Sequence, residues 1–414
     1  MNKVNNYEKN RKAFQRAEKV IPSGIYGHLG PKEGQFSDQA YPLFSSHCKD
    51  SYFWDVDGNR FIDYMCAYGP NVLGYQDEDV EAAVRLQMEK GNCISAPSEI
   101  MIDFAELLVD TVHSADWAFF AKNGSDVTTG AVMCARAYTK RDKIVFFKGG
   151  YHGSGTWTQA KGSRGILEDE VSHNIYVKWN DFDEVKRVFE QYQGEISAII
   201  SQPYMHGNSM ENEMPKEGFW KAVRQLCDEN GTLLIIDDVR CGFRLDLAGS
   251  DHYYGFEADL ICFCKALANG YNVSALCGKE FLKQTMSELN YTGSYWMSAI
   301  PFAAGIACIN KMKRIDLPKQ LREKGKKLCR GLEAAAKEKG FHLHVSGEPA
   351  LFYLQLEEKE YHERWIAECV RRGVYFNNHH NHFINASLTD ADIEETIRVA
   401  KEAFDAILLT TQGE

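Results

Sequence analysis

The sequence predicts an α/β fold, with a mostly parallel central sheet in a large domain and a smaller α+β domain built from both chain ends. Two observations lead to this prediction. Short apolar runs alternate with segments of helical period through the middle of the chain, as in βαβ units whose sheet is covered on both faces. After about residue 305 the pattern changes to long amphipathic helices around short strand-like pieces. We therefore place the large domain at residues 61–305 and the small domain at residues 1–60 and 306–414.

The predicted elements follow in order along the chain. The first sixty residues hold one helix, a glycine- and proline-rich segment from Pro22 to Gly34, and a hairpin from Tyr52 to Ile62 with its turn at Asp57-Gly58-Asn59. Seven apolar runs predict the strands of the central sheet: Trp117–Ala121, Lys143–Phe147, Asn174–Val177, Ala198–Ser201, Leu233–Asp237, Leu260–Cys264 and Ser274–Cys277. Helices are predicted at Asp126–Thr139, Asp181–Tyr192, Gly218–Asn230, Ala307–Lys339 and Thr389–Leu409.

Composition restricts the possible partners and compartments. The 414 residues carry a net charge of −11, and no stretch concentrates enough Lys and Arg to follow a phosphate backbone, which disfavours nucleic acid. No apolar run approaches the ~18 residues of a membrane span, and no apolar leader is visible at the start. The twelve cysteines are scattered without a Cys-x-x-Cys pair, which favours buried thiols over disulfides or a metal site. We expect a soluble, cytoplasmic protein.

Two charged residues directly follow predicted strands. Asp237 ends the run Leu233–Asp237, and Lys265 follows the run that ends at Cys264. In α/β folds ligands bind at the carboxyl ends of strands, so both positions are site candidates. Each alone is more often a capped or solvated residue. Together, one crossover apart, they match pyridoxal phosphate, which needs a lysine for its aldehyde and an aspartate for its ring nitrogen.

A phosphate-binding loop is predicted upstream of this pair. Gly124 and Ser125 open a helix directly after a strand, where a glycine permits close approach and the first N–H groups can hold a dianion. A plain helix N-cap is the alternative interpretation of the same residues. Tyr151, in Tyr-His-Gly after the next strand, offers a flat ring to cover the cofactor, although this tyrosine and His152 could also be structural.

These features, in this order, resemble the class III aminotransferases of pyridoxal phosphate fold type I, with the glutamate-1-semialdehyde aminomutase subgroup as the nearest. The resemblance covers the chain from about Ile21 to Ile397. Further segments that carry it are Phe53–Tyr64, Gly69-Pro70, Ala96–Glu99, Ala135–Thr139 and Gly242-Phe243-Arg244.

The resemblance implies a role for each matching residue. Lys265 forms the aldimine with the cofactor and shuttles a proton, while Asp237 pairs with the pyridine nitrogen. Val239 packs on the ring face opposite Tyr151, and the phosphate is bound by Gly124 and Ser125.

In this family a hydroxyl group from the neighbouring subunit completes the phosphate site. Matching on Tyr295-Trp296 makes Ser294 that donor, whereas counting back from Pro301 would place Trp296 there, which cannot serve. The resemblance thus implies a homodimer with shared active sites.

Departures from the family pattern fall near the substrate. Gln202 precedes Pro203 where the family commonly has glutamate. The tentative substrate residues are Tyr26, Tyr68, Gln202 and His382, with His28 and the turn from His379 to His382 as further candidates. Core packing is the alternative for every aromatic ring among them. Metal binding by the histidine-rich turn is disfavoured, because no Asp or Glu accompanies it.

The sequence therefore predicts a pyridoxal phosphate-dependent aminotransferase. It would move an amino group between an amino donor and a small carbonyl acceptor: a keto acid, an aldehyde or an amino-sugar aldehyde. An intramolecular aminomutase or an amino-acid racemase or epimerase remains open, because both use the same lysine chemistry. A catalytically silent protein of this fold is disfavoured by the presence of both Lys265 and Asp237. A nicotinamide dehydrogenase is disfavoured because Gly149–Gly153 lacks the Gly-x-Gly-x-x-Gly spacing.

Overall fold

The computed structural model describes residues 4–25 and 40–411. The chain divides into a central unit, residues 78–207 and 212–318, and a terminal unit, residues 1–77, 208–211 and 319–414. These divisions fall after residues 77 and 318, whereas the sequence placed them after 60 and 305. Residues 61–63 stay in the terminal unit because they continue a strand that begins at Arg60 and pairs within that unit.

The central unit contains one sheet among its described residues. Its strands, in chain order, are β4 (Trp117–Ala121), β5 (Lys143–Phe147), β6 (Asn174–Val177), β7 (Ile196–Ser201), β8 (Leu233–Asp237), β9 (Leu260–Phe263) and β10 (Ser274–Gly278). They are ordered β4-β10-β9-β8-β7-β5-β6, and β10 alone runs antiparallel to both neighbours. Four predicted strands have these bounds, and the other three differ by one or two residues at an end.

Helices connect and cover these strands. Those assigned to the central unit are α2 (Glu78–Lys90), α3 (Ile100–Thr111), α4 (Gly124–Thr139), α5 (Glu168–Val171), α6 (Phe182–Gln191), α7 (Phe219–Asn230), α8 (Ser250–Tyr253), α9 (Glu280–Ser287) and α10 (Ala299–Ile315). Every residue of β7, β8, β9 and β10 is buried. Strands covered on both faces need apolar side chains at every position, which is why their sequences show runs instead of alternation.

The topology brings the candidate residues to one edge of the sheet. The strands β7, β8 and β9 are parallel, and their carboxyl ends lead into Gln202, Asp237 and Lys265. Strand β5 is parallel to β7 and precedes Tyr151 by four residues. Strand β4 runs in the same direction and leads into Gly124 at the start of α4. Ligands bind at this edge in α/β proteins.

The terminal unit has two small sheets among its described residues. Strands β1 (Ser45–Lys49), β2 (Tyr52–Asp55), β3 (Arg60–Asp63) and β13 (Val374–Tyr375) form one, and β11 (Leu343–Glu348), β12 (Leu351–Leu356) and β14 (His382–Phe383) form the other. Its helices are α1 (Glu8–Ala17), α11 (Leu317–Glu338), which begins just before the division, α12 (Lys359–Arg371) and α13 (Asp390–Thr411). The predicted hairpin is present, because β2 pairs antiparallel with β3 across the turn at Gly58.

One helix prediction is corrected. The sequence predicts a single helix from Ala307 to Lys339, but α10 ends at Ile315 and α11 begins at Leu317. Asp316 between them has a left-handed backbone, with φ of 48°. Pro318 explains the break, because a proline lacks the N–H for an α-helical hydrogen bond and its ring collides with the carbonyl four residues earlier. Among the described residues, no helix is both long enough and apolar enough to cross a membrane.

Candidate active site

Lys265 is separated from the end of strand β9 by Cys264 alone and begins a short 3-10 turn over Lys265–Ala268. Its φ of 34° is in the left-handed region, which a residue with a side chain rarely adopts. Such strain is found preferentially at functional sites. Burial, with a further contribution from the positive charge of Arg240, lowers the pKa of Lys265 to about 7, although Asp237 acts in the opposite direction. At neutral pH a large fraction of this amine is therefore uncharged.

Asp237 ends β8 and is paired with His152. The carboxylate Oδ2 lies 2.8 Å from His152 Nδ1, and Oδ1 accepts the N–H of Val239 at 3.2 Å. Both side chains of the pair are buried, each residue being 5% exposed. Because the carboxylate accepts the Nδ1 proton, the histidine stabilises a negative charge that would otherwise be costly to bury.

The next residue, Asp238, lies in different surroundings. Its carboxyl oxygens accept the N–H and the hydroxyl of Ser250 at 2.9 and 2.6 Å. Burial raises the pKa of Asp238 to about 7. Consecutive residues of an extended chain point in opposite directions, so only Asp237 has His152 as its partner.

The start of α4 is where the phosphate cradle is predicted. Asn123 is the N-cap residue, and its N–H is accepted by the Asp126 carboxylate at 2.8 Å. The Ser125 hydroxyl accepts the N–H of Ser154 at 2.9 Å and lies 3.2 Å from the Ser154 hydroxyl. The first turn of this 16-residue helix thus combines N–H groups with hydroxyl groups, which suits a phosphate.

Gly124 is required there by close packing. A Cβ atom at this position would lie 3.0 and 3.1 Å from the two methyl carbons of Val239. The glycine therefore lets the segment after β8 approach the start of α4. Val239 is the residue that the resemblance places against the cofactor ring.

Tyr151 and Gln202 are in contact near the pair of Asp237 and His152. Tyr151 is 52% exposed, so its ring is accessible in this chain, and its carbonyl accepts a hydrogen bond from Gln202 Nε2 at 3.4 Å. Gln202 is 4% exposed, and its Nε2 also lies 3.3 Å from His206 Nδ1. Gln202 is thus a buried polar residue at the carboxyl edge of the sheet.

Ser294 lies on an exposed segment of the central unit. Its carbonyl accepts a weak hydrogen bond from Cys93 Sγ at 3.7 Å. The neighbouring Trp296 packs its ring against Phe119 and Tyr291, with ring centroids 5.8 and 4.9 Å apart. Packing therefore accounts for Trp296, whereas the Ser294 hydroxyl stays a prediction for the phosphate site of a neighbouring subunit.

The other tentative substrate residues belong to the terminal unit or are not described. Tyr68 has a φ of 66° and lines a cavity of about 510 Å³. His382 is fully buried, with its ring stacked on Phe352 and edge-on to Phe376. The packing alternative thus accounts for His382, and we leave it out of the proposed site. Tyr26 and His28 lie outside the described residues.

Sequence reasoning missed three residues near Lys265. The sequence marks His152 only as part of the Tyr-His-Gly motif and carries no signal for its pairing with Asp237. His206 and Arg240 were not singled out, yet both are buried and lie within electrostatic range of Lys265. The available signal was position: each follows a central parallel strand by a few residues.

The central unit offers a partner for each part of pyridoxal 5′-phosphate. The cofactor's aldehyde needs an uncharged amine, which Lys265 would supply, and its ring nitrogen needs a buried carboxylate, which Asp237 would supply. Its phosphate fits the hydroxyl and N–H groups at the start of α4. The amide oxygen of Gln202 is buried and has no hydrogen-bond partner among the described residues, as in a site built for a ligand.

Comparison with known proteins shows the family to which the chain belongs. The family model for aminotransferase class-III matches residues 35–404. An aminopentol aminotransferase of Sphingopyxis macrogoltabida is 38% identical over 95% of this chain and 93% of its own length. A glutamate-1-semialdehyde 2,1-aminomutase of Francisella philomiragia is 31% identical over 97% of this chain and 98% of its own.

A solved structure is also similar throughout. The FumI protein of Sphingopyxis sp. MTA144, solved in its pyridoxal phosphate internal aldimine form, aligns with a TM-score of 0.93 and 36% identity over 97% of both chains. The match spans both units, and the site residues described above lie within the range of the family model. The chain therefore belongs to the class III aminotransferases, and it is a pyridoxal phosphate-dependent transaminase.

Proposed function

We propose that this enzyme transfers the amino group of a hydroxylated aliphatic amine to a carbonyl acceptor, releasing one product before the second substrate binds. The observation that carries the assignment of the active site is Lys265, strained and partly buried beside the buried pair of Asp237 and His152. Pyridoxal 5′-phosphate, when bound, would supply a ring that accepts electrons from the carbon next to the substrate nitrogen. The protein must then bind the cofactor and move one proton.

Lys265 is the residue that moves the proton in this proposal. With its pKa near 7, Lys265 Nζ accepts a proton from the substrate carbon and returns it to the carbon of the cofactor's aldehyde group. A pKa near the working pH keeps both proton transfers close to balance in free energy. The short 3-10 turn fixes the backbone of this lysine. Its flexible side chain then reaches both positions of the proton.

Asp237 holds a proton at the cofactor's ring nitrogen. The carboxylate remains an acceptor because His152 Nδ1 donates to its other oxygen at 2.8 Å. Burial of both groups excludes water and strengthens the interaction with a positive ring nitrogen. The pair therefore positions the charge that makes the ring an electron acceptor.

The substrate class is proposed from similarity. The relative that is 38% identical is named for aminopentol, an amine that carries hydroxyl groups. A panel of amines tests the substrate: a hydroxylated chain amine should give a higher kcat/KM than the unhydroxylated amine of the same length or an α-amino acid.

We place the enzyme in the cytoplasm, because no disulfide joins any of its twelve cysteines, as is usual in a reducing compartment.

Two measurements test the assignment of the lysine. The protein as purified should be yellow, and borohydride should fix the cofactor irreversibly at Lys265. The Lys265→Ala variant should bind the cofactor reversibly but yield no fixed adduct. A variant that still forms a borohydride-stable adduct would show that another lysine holds the cofactor. Peptide mapping of the reduced wild-type protein identifies the residue directly.

An intramolecular aminomutase is the second candidate, favoured by the relative that is 31% identical. A nitrogen-15 label on the donor separates the two reactions. External transamination moves the label to a different carbon skeleton and leaves the first one as a carbonyl compound. Label that stays in the original molecule, on a neighbouring carbon or with inverted configuration, would establish the aminomutase or racemase reaction instead.

A further inference from the structure

Three buried polar side chains form a chain of hydrogen bonds beside Lys265. Arg240 Nη1 donates to the His206 carbonyl at 2.6 Å and lies 3.4 Å from His206 Nδ1. His206 Nδ1 in turn lies 3.3 Å from Gln202 Nε2. None of the three residues is more than 5% exposed. Their geometry is therefore fixed by packing and not by solvent.

The charge of Arg240 determines the tautomer of His206. A guanidinium group only donates hydrogen bonds, so its contact with His206 Nδ1 at 3.4 Å assigns that nitrogen as the acceptor and the ring proton to Nε2. Burial, together with the nearby Arg240 charge, holds the pKa of His206 well below its ordinary value, so the ring is neutral. An unprotonated Nδ1 can then accept from Gln202 Nε2 as well.

The tautomer determines the orientation of the Gln202 amide. Its Nε2 group donates both to His206 Nδ1 and to the Tyr151 carbonyl, at 3.3 and 3.4 Å. The reversed amide would place the oxygen against a carbonyl oxygen and a nitrogen lone pair, which is repulsive. Gln202 Oε1 is therefore the atom left over, buried and without a hydrogen-bond partner among the described residues.

The leftover oxygen lies next to the loop that carries Tyr151. A Cβ atom on Gly150 would be 3.6 Å from Gln202 Oε1 and 3.2 Å from His152 Nε2. His152 is the partner of Asp237, so this oxygen lies on the side of Gln202 that borders the active site. A buried acceptor is satisfied once a molecule with a hydrogen-bond donor binds there.

We propose that His206 and Arg240 are positioning residues of the active site, which fix the Gln202 amide so that its oxygen accepts a hydrogen bond from a bound O–H or N–H group. That group belongs either to the cofactor or to the amine substrate. The proposal rests on the assignment of Lys265 and Asp237 to the site. Cofactor binding does not depend on which amine reacts. A failure of this proposal can therefore be distinguished from a failure of the proposed substrate class.

A double-mutant cycle tests whether His206 acts through Gln202. The variants are Gln202→Met, His206→Leu, the double variant, and His206→Asn as the matched control. The Asn side-chain oxygen can replace Nδ1 as the acceptor, whereas Leu of similar size cannot. Two quantities are measured for each: the cofactor dissociation constant, by titrating the cofactor-free protein, and the KM for the amine at saturating cofactor.

We expect Gln202→Met and His206→Leu each to raise either the cofactor dissociation constant or the KM for the amine by roughly 3- to 10-fold, the effect of losing one hydrogen bond. A change in the dissociation constant identifies the cofactor as the donor, and a change in KM alone identifies the substrate. The double variant should be no worse than Gln202→Met, and His206→Asn should stay within about twofold of the wild type.

Three results would overturn the proposal. The first is an equal loss in His206→Leu and His206→Asn, which would indicate that shape matters and not the acceptor. The second is a His206→Leu effect that persists in full when Gln202 is already Met. The third is no change in either quantity for Gln202→Met. If His206→Leu does not fold, nitrogen-15 NMR of the histidine-labelled wild type decides: a proton on Nδ1 of His206 contradicts the proposal.

Discussion

At the scale of single residues, two consecutive carboxyl groups at the end of β8 have different surroundings. Asp237 pairs with His152, whereas Asp238 is bound by Ser250 and has its pKa raised to about 7 by burial. Residue type and burial do not separate them, since both are aspartates with 5% exposure or less. The hydrogen-bond partner of each carboxyl group is therefore what distinguishes the candidate cofactor ligand, Asp237, from its neighbour Asp238.

Replacement of each aspartate by asparagine tests this difference. Asp237→Asn should keep the fold and much of the cofactor affinity but lower kcat by several orders of magnitude, because an amide does not hold the proton on the ring nitrogen. Each tenfold loss corresponds to about 1.4 kcal/mol of barrier. Asp238→Asn is the matched control, with an effect on stability and less than about tenfold on kcat. Comparable kcat losses in both variants would contradict the assignment.

At the residue level, the sequence identifies candidates where position along a strand carries the information. Asp237 and Lys265 were identified because each follows an apolar run directly. The pairing of Asp237 with His152 joins residues 85 positions apart, and no local pattern encodes such a contact. The orientation of Gln202 depends on the side chains of His206 and Arg240 and on the Tyr151 carbonyl, which lie in three different loops and which only the folded chain brings together.

At the scale of elements, the sequence predicts buried strands well and long helices less well. The seven strands of the central sheet are apolar at nearly every position, and this composition marks their bounds sharply. The predicted helix over Ala307–Lys339 has the right period but continues through Pro318. The amphipathic period is nearly the same on both sides of the break, so it does not show that one helix ends and another begins. Pro318 is the feature of the sequence that indicates the break.

The contact between the start of α4 and the end of β8 gives an element-level prediction. In Gly124→Ala the new methyl group would lie 3.0 Å from Val239, so the helix start or the valine must shift. Because the phosphate cradle is predicted in the same turn, we expect the cofactor dissociation constant to rise about tenfold, with a smaller change in the melting temperature. Titration of the cofactor-free variant measures it.

A second substitution serves as the control for this clash. Val239→Ala removes the two methyl carbons that the new Cβ would meet. The Val239→Ala variant by itself is expected to lose a modest amount of packing against the cofactor ring. The double variant should therefore bind the cofactor better than Gly124→Ala alone. If the losses of cofactor affinity in the two single variants simply add in the double variant, then the alanine at position 124 does not act through a clash with Val239.

At the scale of the whole molecule, the first prediction is that the working unit is a homodimer. The Ser294 hydroxyl is expected to complete the phosphate site of the partner subunit, and a two-fold interface would supply both sites at once. Ser294→Ala should weaken cofactor binding about tenfold, as expected for a hydrogen bond to a charged group. Ser298→Ala is the matched control, because that hydroxyl donates to the Tyr295 carbonyl within its own chain at 2.7 Å. Sedimentation showing an active monomer would refute the prediction.

The second prediction at this scale concerns acid stability and begins with two buried histidines of the terminal unit. His382 Nε2 accepts the N–H of Asn377 at 3.0 Å, and His362 Nδ1 accepts the N–H of Leu356 at 3.4 Å. Burial lowers the pKa of His382 to about 3 and that of His362 to about 4. Both rings therefore stay neutral in the folded chain at pH values where the unfolded chain protonates them.

This difference makes folding weaker in acid. Below the unfolded pKa of about 6.5 the unfolded chain binds more protons at these histidines, so their contribution to stability falls as the pH drops from 6.5 towards 4. Asp238 has the opposite sign, because its pKa is raised to about 7 and its contribution is lost as the pH rises. The total pH dependence thus mixes both signs, and a variant is needed to isolate the histidines.

We therefore compare the wild type with His362→Gln, which cannot titrate. Between pH 7.5 and pH 5 the free energy of unfolding of the wild type should fall by about 2 kcal/mol relative to that variant, because one proton is taken up on unfolding with a slope of about 1.4 kcal/mol per pH unit. Urea unfolding followed by tryptophan fluorescence at several pH values measures the difference. If the difference between the wild type and His362→Gln is instead constant over this pH range, then His362 is protonated in the folded chain and its burial is compensated by a contact that stabilises the charge.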